Sequence, residues 1–208
     1  MQDRFNVPYY TGTMCKGAFH RKPLLALLAL LVVLYVPLVA LRTLYPIRFV
    51  DLVNGWSHER GLDPALVASI IRAESRFHPE AISPRGALGL MQITPDTGAW
   101  IAGKIGFADF ETDSLLDPDT NVELGTWYIS YLIGRFEKVE TALAAYNAGP
   151  GAVTGWEGDP NAAYPTTTAY VRRVISSTWV YRLYFRLPFL VTITPSLGLS
   201  VAETRSVS

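Results

Sequence analysis

The sequence predicts an all-α protein in which a helical domain follows a single apolar helix near the N-terminus. Two observations predict this class. An uncharged apolar run extends from Leu24 to Leu41, and beyond it Asp-Pro and Thr-Pro pairs, which are typical of helix starts, precede segments with helical periodicity. The alternation of polar and apolar residues that indicates strands is scarce.

The apolar run is interpreted as a transmembrane signal anchor over residues 24–45. With Thr43 to Tyr45 added, it is long enough for a hydrocarbon core of about 30 Å. A cleaved signal peptide is the main alternative, but its apolar region is shorter and ends in small residues, whereas this run ends Ala40-Leu41-Arg42. A buried core helix would show a polar face, which this run does not.

The orientation of this anchor follows from the basic residues on its two sides. Lys16, Arg21 and Lys22 precede the run closely, and only Arg42 and Arg48 follow it closely. The positive-inside rule then places residues 1–23 in the cytoplasm and everything after residue 45 on the extracytoplasmic side of the cell membrane.

Composition excludes several classes of function. The formal net charge of the 208-residue chain is zero, without the basic excess of a nucleic-acid-binding protein. The single cysteine, Cys15, excludes an intrachain disulfide and is expected to be an inert cytoplasmic thiol. The three histidines, His20, His58 and His78, lack the spacing of metal ligands, so no metal site is predicted.

The helices of the domain are predicted from capping and stop signals. Asp63, Thr94 and Asp117 each precede a proline, and Gly149-Pro150 ends a helix. The predicted helices cover Arg48 to Glu59, Pro64 to Arg76, Asp96 to Gly103, Pro118 to Phe136, Glu140 to Asn147, and Thr167 to Phe185. The helix that begins at Pro118 is apolar on most faces and is predicted to be central. The tail, residues 187–208, is predicted to be loosely ordered, with Phe189 to Ile193 touching the domain or the membrane.

Glu74 is the first candidate for chemistry. Val67, Ile70 and Ile71 lie three, four or seven residues before it and share its helix face. An apolar stripe and the negative end of the helix dipole both raise the pKa of a carboxyl group, as a general acid requires. On this pattern alone, a solvated Glu at a helix end is the favoured interpretation, since that is the usual environment of a lone Glu.

The residues around Glu74 decide between these interpretations. The chain reads AESRFHPEAISPRGALGLMQITPDT from Ala73 to Thr97, then ALAAYNAGPGAV from Ala142 to Val153 and TAYVRRV from Thr168 to Val174. In order and spacing these blocks resemble the lytic transglycosylase domain of the soluble-transglycosylase (SLT, goose-lysozyme-like) type. The resemblance extends roughly from Arg48 to Tyr184. It implies a lysozyme-like helical domain over residues 46–186.

The resemblance also implies the site residues. Glu74 matches the family's catalytic acid/base, and Ser75 beside it is expected to support the helix end. The positions that match the family's sugar-binding blocks are Ser83, Met91, Gln92, Tyr146, Asn147 and Tyr170. Gly86 and Gly89 are expected to give the intervening loop its backbone freedom. From the sequence, Met91 is as readily a core residue, and Tyr146 taken alone would be a core aromatic.

The implied reaction is cleavage of peptidoglycan glycan strands by one carboxyl group, without metal or organic cofactor. Glu74 protonates the glycosidic oxygen, and its carboxylate then deprotonates the C6 hydroxyl, which closes a 1,6-anhydro ring. Glu80 and Asp96 are the nearby acids, and both are interpreted as solvated surface residues. Two alternatives stay open: a muramidase-type hydrolase that uses water, and a non-catalytic peptidoglycan-binding protein.

One position departs from the family. Members commonly carry a Glu-Thr pair three residues before the final Tyr-Val, and here Thr166 occupies the Glu position before Thr167. Thr166 is expected to cap the last helix through its hydroxyl group. Without a like charge at this position, Glu74 is expected to depend mainly on desolvation to stay protonated.

Overall fold

A computed structural model describes residues 21–156 and 164–187 of the chain. The predictions made for Cys15, for the rest of the cytoplasmic segment up to residue 20, and for the tail from residue 188 lie outside the described residues. The chain divides into two compact units, residues 1–41 and 42–208, which are described separately.

The predicted all-α class is confirmed. The described helices are α1 (Arg21–Leu44), α2 (Val50–Glu59), α3 (Pro64–Glu74), α4 (Pro95–Ile105), α5 (Pro118–Phe136), α6 (Val139–Ala148), α7 (Pro150–Gly155) and α8 (Pro165–Arg186), with a 3₁₀ helix at Thr112–Leu116. In the described part of the chain, β pairing is limited to isolated bridges that join Leu88 to Ile82 and to Ile93.

Helix α1 contains the apolar run. Its segment Pro23–Leu44 is long and apolar enough to cross a membrane, and it is one continuous helix that includes Pro37. The side chains from Leu24 to Val36 are exposed, and this part of the helix is apolar on all sides.

The predicted helix starts are confirmed by their caps. A side-chain oxygen of Asp63 accepts from the Ala65 N–H at 2.9 Å, and one of Asp117 accepts from the Thr120 N–H at 2.9 Å. The Thr94 hydroxyl oxygen accepts from the Thr97 N–H at 3.3 Å. Each cap satisfies a backbone donor that the first helical turn leaves without a partner.

Three local predictions were wrong or incomplete. Thr166 does not cap α8: the N-cap is Tyr164, which makes no side-chain cap bond, because Pro165 presets the first turn and lacks the N–H that a cap would satisfy. Pro150 was predicted only as the end of a helix. It is also the first residue of α7, because proline is favoured in a first helical turn. The 3₁₀ helix before α5 was not predicted.

The core of the domain forms where α3 packs along α8. Every residue of α3 from Ala65 to Ile71 is buried. The Thr178 hydroxyl of α8 lies 3.2 Å from the Ser69 hydroxyl of α3, and Arg182 pairs with Asp63 at 2.7 Å. These contacts fix the direction of α3 and therefore the position of Glu74 at its last turn.

Helix α5 is the central helix of the other half of the domain, as predicted. It contacts α2, α4, α6 and the 3₁₀ helix. Met91 packs against Gly125 so closely that a Cβ at this glycine would collide with the methionine side chain. The loop that follows α3 is thereby held directly on the middle of α5.

Candidate active site

Glu74 is the last residue of α3 and continues its apolar stripe. Val67, Ile70 and Ile71 have no exposed surface. Burial raises the pKa of Glu74 from 4.5 to about 7, against smaller lowering effects of the Tyr170 hydroxyl and of the Arg173 charge. Desolvation is the largest influence on this pKa, and the direction of the shift agrees with the expectation from the sequence. A carboxyl group of this kind can both give and take a proton near neutral pH.

Tyr170 and Arg173 reach Glu74 from α8. The Tyr170 side chain is buried, and its hydroxyl has no hydrogen-bond partner of good geometry among the described residues. Its interaction with Glu74 nevertheless lowers the pKa of the glutamate and contributes, after burial, to raising the pKa of the tyrosine well above 10. The Tyr170 hydroxyl is therefore placed to donate to Glu74 when the carboxyl group loses its proton.

The chain turns sharply immediately after Glu74. Ser75 ends α3, as predicted: its hydroxyl donates to the carbonyl oxygens of Ile71 at 3.3 Å and Leu90 at 2.8 Å. Arg76 and Phe77 then adopt left-handed backbone conformations with φ of 53° and 64°. Such residues are costly unless tertiary contacts fix them, and Phe77 is fully buried.

The loop that carries Ser83 and Gln92 is built from tight turns. The Ser83 hydroxyl oxygen accepts from the Ala87 N–H at 3.0 Å. The Gln92 side-chain amide donates to the carbonyl oxygens of Ala81 and Gly89, both at 2.9 Å. Both predicted sugar-binding residues are partly exposed and also hold the loop in shape.

Gly89 is required in this loop for steric reasons. Its φ is 77°, and a Cβ at this position would collide with the Leu115 carbonyl oxygen and with the Asn121 side chain. Because Gly89 has no Cβ, the loop can pack directly against the start of α5. The positive φ and the close contacts explain why this position needs glycine, as the sequence predicted.

Asn121 holds this loop on α5, and it is not among the site residues predicted from the sequence. Its side-chain oxygen accepts from the Met91 N–H at 2.7 Å, and its amide donates to the carbonyl oxygens of Leu88 at 3.0 Å and Leu115 at 2.7 Å. Asn121 is fully buried. Asn121 stands among Asp119, Thr120 and Glu123 at the start of α5, so nothing in the local sequence distinguished it.

Met91 is a core residue. It has no exposed surface, and it contributes backbone groups to the site rather than its side chain. Its carbonyl oxygen accepts from the Tyr146 hydroxyl at 2.7 Å, which orients the Tyr146 ring next to Glu74. Burial raises the pKa of Tyr146 well above 10, and the charge of Glu74 adds to this effect.

Asn147 and Thr167 join α6 to α8 at the edge of the site. The Thr167 hydroxyl donates to the Asn147 side-chain oxygen at 3.1 Å, with Thr167 buried and Asn147 exposed. Thr166 is exposed at the first turn of α8. The structure thus brings Tyr146, Tyr170 and Glu74 together and places Asn147 nearby on the surface.

Within the described residues 21–156 and 164–187, no group of three or more His, Cys, Asp or Glu side chains is arranged to bind a metal ion. The polar groups that interact with Glu74 there are the side chains of Tyr170, Tyr146 and Arg173.

Residues 51–167 match the transglycosylase SLT domain family, and this match covers more than half of the chain. The chain belongs to that family. The SLT domain therefore contains Glu74 and almost every residue of the site; only Tyr170 and Arg173 lie just beyond the matched range.

Known relatives carry the same domain in larger proteins. The chain is 32% identical over 151 residues to the soluble lytic murein transglycosylase of Salmonella typhimurium, a match that covers 66% of this chain and 23% of the relative. It is 34% identical over 116 residues to the membrane-bound lytic murein transglycosylase C of Glaesserella parasuis, which covers 51% of this chain and 32% of the relative.

A solved structure confirms the lysozyme-like SLT fold. The chain is similar to the lytic transglycosylase Slt of Pseudomonas aeruginosa, which was solved as an inactive mutant with glutamine in place of a glutamate. The TM-score is 0.64 at 31% identity, over 68% of this chain and 25% of the other. The chain spans about a quarter of the soluble relatives that it matches.

Proposed function

We propose that this protein is a membrane-anchored lytic transglycosylase that cleaves the β-1,4 bond between N-acetylmuramic acid and N-acetylglucosamine in peptidoglycan. The observation that carries the proposal is Glu74, a largely desolvated carboxyl group with a pKa of about 7. Its pKa is not perturbed by any other carboxylate among the described residues. Two-carboxylate glycosidases place a second acid across the bond, whereas the mechanism proposed here uses the single carboxyl group of Glu74 twice.

In the first step, protonated Glu74 donates its proton to the glycosidic oxygen. The bond between this oxygen and C1 of the muramoyl sugar breaks, and the electron pair stays on the oxygen of the departing N-acetylglucosamine. The N-acetyl oxygen of the substrate stabilises the cationic C1. The new carboxylate is stabilised by the Tyr170 hydroxyl and by the Arg173 charge, which both favour the ionised form.

In the second step, the Glu74 carboxylate removes the proton of the C6 hydroxyl of the same sugar. The C6 oxygen bonds to C1 and forms a 1,6-anhydro ring, which leaves Glu74 protonated again. A pKa near 7 suits both steps, because at neutral pH the group is available as an acid for the first step and its carboxylate is a stronger base for the second than an ordinary one. The reaction needs neither water nor a cofactor.

The activities named for the relatives support this proposal. The two relatives at 32% and 34% identity are both lytic murein transglycosylases. The Pseudomonas aeruginosa Slt protein was solved as an inactive mutant in which glutamate is replaced by glutamine. In this chain we assign the corresponding role to Glu74, and substrate contacts to Ser83, Gln92, Tyr146, Asn147, Tyr170 and the backbone of Met91.

The test is digestion of purified sacculi by the full chain in detergent, with mass spectrometry of the released muropeptides. Products with 1,6-anhydro ends are expected, and Glu74→Gln should lower their release by roughly 10²–10⁴-fold or more. Glu80→Gln is the matched control, since Glu80 is an exposed acid on the following loop. Reducing ends formed by water would instead support the muramidase alternative, and binding without release would support the non-catalytic one.

We further propose that α1 anchors the protein with the SLT domain on the cell-wall side of the membrane. The length of Pro23–Leu44 and the basic residues before it support this topology. One relative is a membrane-bound enzyme. A protease added to intact protoplasts should remove the domain. Complete protection, or a soluble mature form that starts after Leu41, would contradict the proposal.

A further inference from the structure

The segment that follows the apolar helix is fixed to the domain from its first residues. The part of α1 that is long and apolar enough to cross a membrane ends at Leu44. The Leu44 carbonyl oxygen accepts from the Arg72 Nε at 2.8 Å, and the Pro46 carbonyl oxygen accepts from the Tyr181 hydroxyl at 2.7 Å. The chain is therefore bonded to α3 and to α8 within two residues of the end of the apolar segment.

Tyr45, between these two bonded residues, adds two ring contacts. The Arg72 guanidinium carbon lies 4.3 Å from the centroid of the Tyr45 ring, which is a cation–π contact. The same ring stands edge-on to Tyr181, with 6.3 Å between the ring centroids. Tyr181 itself is fully buried. Leu44, Tyr45 and Pro46 thus form a strap that is held by the core of the domain.

The strap has the features of a chain at the boundary between membrane and water. Leu44 is apolar and 61% exposed, as expected for a side chain that lies against lipid. Tyr45 follows the apolar segment directly, at the level where tyrosine and tryptophan are enriched in membrane proteins. The match to the SLT family begins at residue 51, so the strap lies outside the matched domain.

The strap also lies close to the catalytic glutamate. Arg72, which bonds Leu44, stands two positions before Glu74 on α3. Counted along the helix, the arginine side chain and one hydrogen bond, the Glu74 Cα lies within about 15 Å of the Leu44 carbonyl oxygen. The headgroup layer of a bilayer adds about 5–8 Å to the hydrocarbon core on each side. If Leu44 ends the span, Glu74 is at most about 10 Å beyond the headgroups.

We propose that the strap holds the Glu74 site at the membrane surface, so that the enzyme acts on glycan strands that a lipid at one end keeps at the membrane. This inference rests on the proposed activity and the proposed anchor, and it names the substrate class of the same site. A domain without a free linker reaches only as far as its own diameter, about 40 Å, and strands in more distant layers of the wall lie beyond it. The supplying reaction is polymerisation of sugars on a lipid-linked strand at the same membrane face.

The first test measures how far the site lies from the lipid headgroups. The full chain carries Cys15→Ser, which removes its single cysteine, and Arg76→Cys with a fluorophore, at an exposed position two residues after Glu74. It is reconstituted in phospholipid vesicles whose headgroups carry nitroxide quenchers. Quenching should be strong and should fall severalfold when about 20 Gly and Ser residues, with an r.m.s. length of about 25 Å, are inserted between Leu41 and Arg42. Equal quenching in the two chains would overturn the proposal.

The second test separates the strap from the shortness of the connection. Arg72→Met with Tyr181→Phe removes both hydrogen bonds and the cation–π contact. Residues 42–49 can then extend by up to about 26 Å, so quenching should fall toward that of the chain with the inserted linker. Tyr181→Phe alone, a milder change, should give a smaller fall in the same direction. Arg135→Met with Tyr131→Phe makes the same chemical changes on α5 and should leave quenching as it is. Unchanged quenching in both strap variants would overturn the role of the strap.

The third test determines whether this position selects the substrate. Vesicles contain the enzyme together with lipid-linked glycan strands, and the saccharide that stays on the lipid after digestion is sized by mass spectrometry. The natural chain should leave short saccharides of a narrow size range, and the chain with the inserted linker should leave longer and more varied ones. In detergent, where no membrane restricts the domain, both chains should digest sacculi equally. The same size range for both chains in vesicles would overturn the inferred substrate class.

The proposed function and this inference can fail separately. If the natural chain releases no muropeptides from sacculi in detergent, but quenching depends on the inserted linker, the proposed activity fails and the position of the site stands. If both chains digest sacculi and lipid-linked strands alike and are quenched alike, the activity stands and the inferred position fails.

Discussion

The buried hydroxyl of Tyr170 on α8 interacts with the carboxyl group of Glu74 on α3, and this interaction lowers the pKa of Glu74 while burial raises it. The two effects have opposite signs and different origins. Burial is fixed by the apolar stripe of α3, whereas Tyr170 comes from a helix about 100 residues later in the chain. The pKa of about 7 is therefore set jointly by two helices that pack along each other.

Tyr170→Phe is expected to move the alkaline limb of the pH–activity profile to higher pH. Loss of the hydroxyl removes a group that favours the carboxylate, so Glu74 holds its proton to higher pH. The measurement is muropeptide release between pH 5 and 9. Tyr184→Phe is the matched control, since Tyr184 is a second buried tyrosine of α8 without a hydroxyl partner among the described residues, 14 positions further along. A limb that stays in place or moves to lower pH would contradict this role for Tyr170.

Glu74→Gln is expected to stabilise the fold at alkaline pH. The pKa of Glu74 is about 7 in the folded protein and near 4.5 in an unfolded chain, so the folded state binds the proton more tightly. Stability is then fully present below pH 4.5 and is lost as the pH rises through about 7, by about 2–3 kcal/mol for a partly exposed group. Glutamine stays neutral and avoids this loss.

Urea denaturation of both proteins at pH 5 and pH 8.5 measures the effect. The free energy of unfolding of Glu74→Gln, relative to the natural chain, should rise between the two pH values. Glu80→Gln, at an exposed position, serves as the control and should produce no such rise. A difference that is the same at both pH values would show that Glu74 is not desolvated in the folded state.

Asn121→Leu is expected to destabilise the domain by about 3 kcal/mol and to abolish most activity. The change keeps the approximate volume but leaves the Met91 N–H and the Leu115 carbonyl buried without this partner, and each such group costs about 1–3 kcal/mol. Thr126→Val is the matched control, because the Thr126 hydroxyl bonds only within α5. Similar losses of stability for the two variants would contradict the assigned role of Asn121.

Thr166→Glu is expected to extend activity toward alkaline pH. A carboxylate at this exposed position near the start of α8 adds a like charge in the neighbourhood of Glu74 and raises the glutamate's pKa further. The profiles should be compared at low ionic strength, since solvent screens an exposed charge. Thr168→Glu places the same charge on a different face of α8 and serves as control. Identical profiles for the natural chain and Thr166→Glu would refute the electrostatic account, and activity in Thr166→Glu alone would mark the natural chain as a degenerate enzyme.

The sequence by itself determined the helices and the position of Glu74 on one of them. Capping is a local interaction, so Asp63, Thr94 and Asp117 could be assigned to helix starts from their immediate neighbours. Periodicity is local in the same way, and it placed Val67, Ile70 and Ile71 on the buried face that leads to Glu74. The helix start at Pro150 was available by the same reasoning and was interpreted only as a stop.

Only the tertiary structure decided how the groups around Glu74 are held in place. Asn121 holds the loop through three bonds to residues that lie 6 to 33 positions away, and Tyr146 bonds Met91 across 55 positions. Helix α8, which carries Tyr170, is itself bonded to Pro46 through Tyr181, across 135 positions. Such contacts depend on how α3, α5, α6 and α8 pack, and local pattern carries no information about them. Desolvation of Glu74, in contrast, begins with its own helix, which is why its raised pKa could be predicted in sign from the sequence.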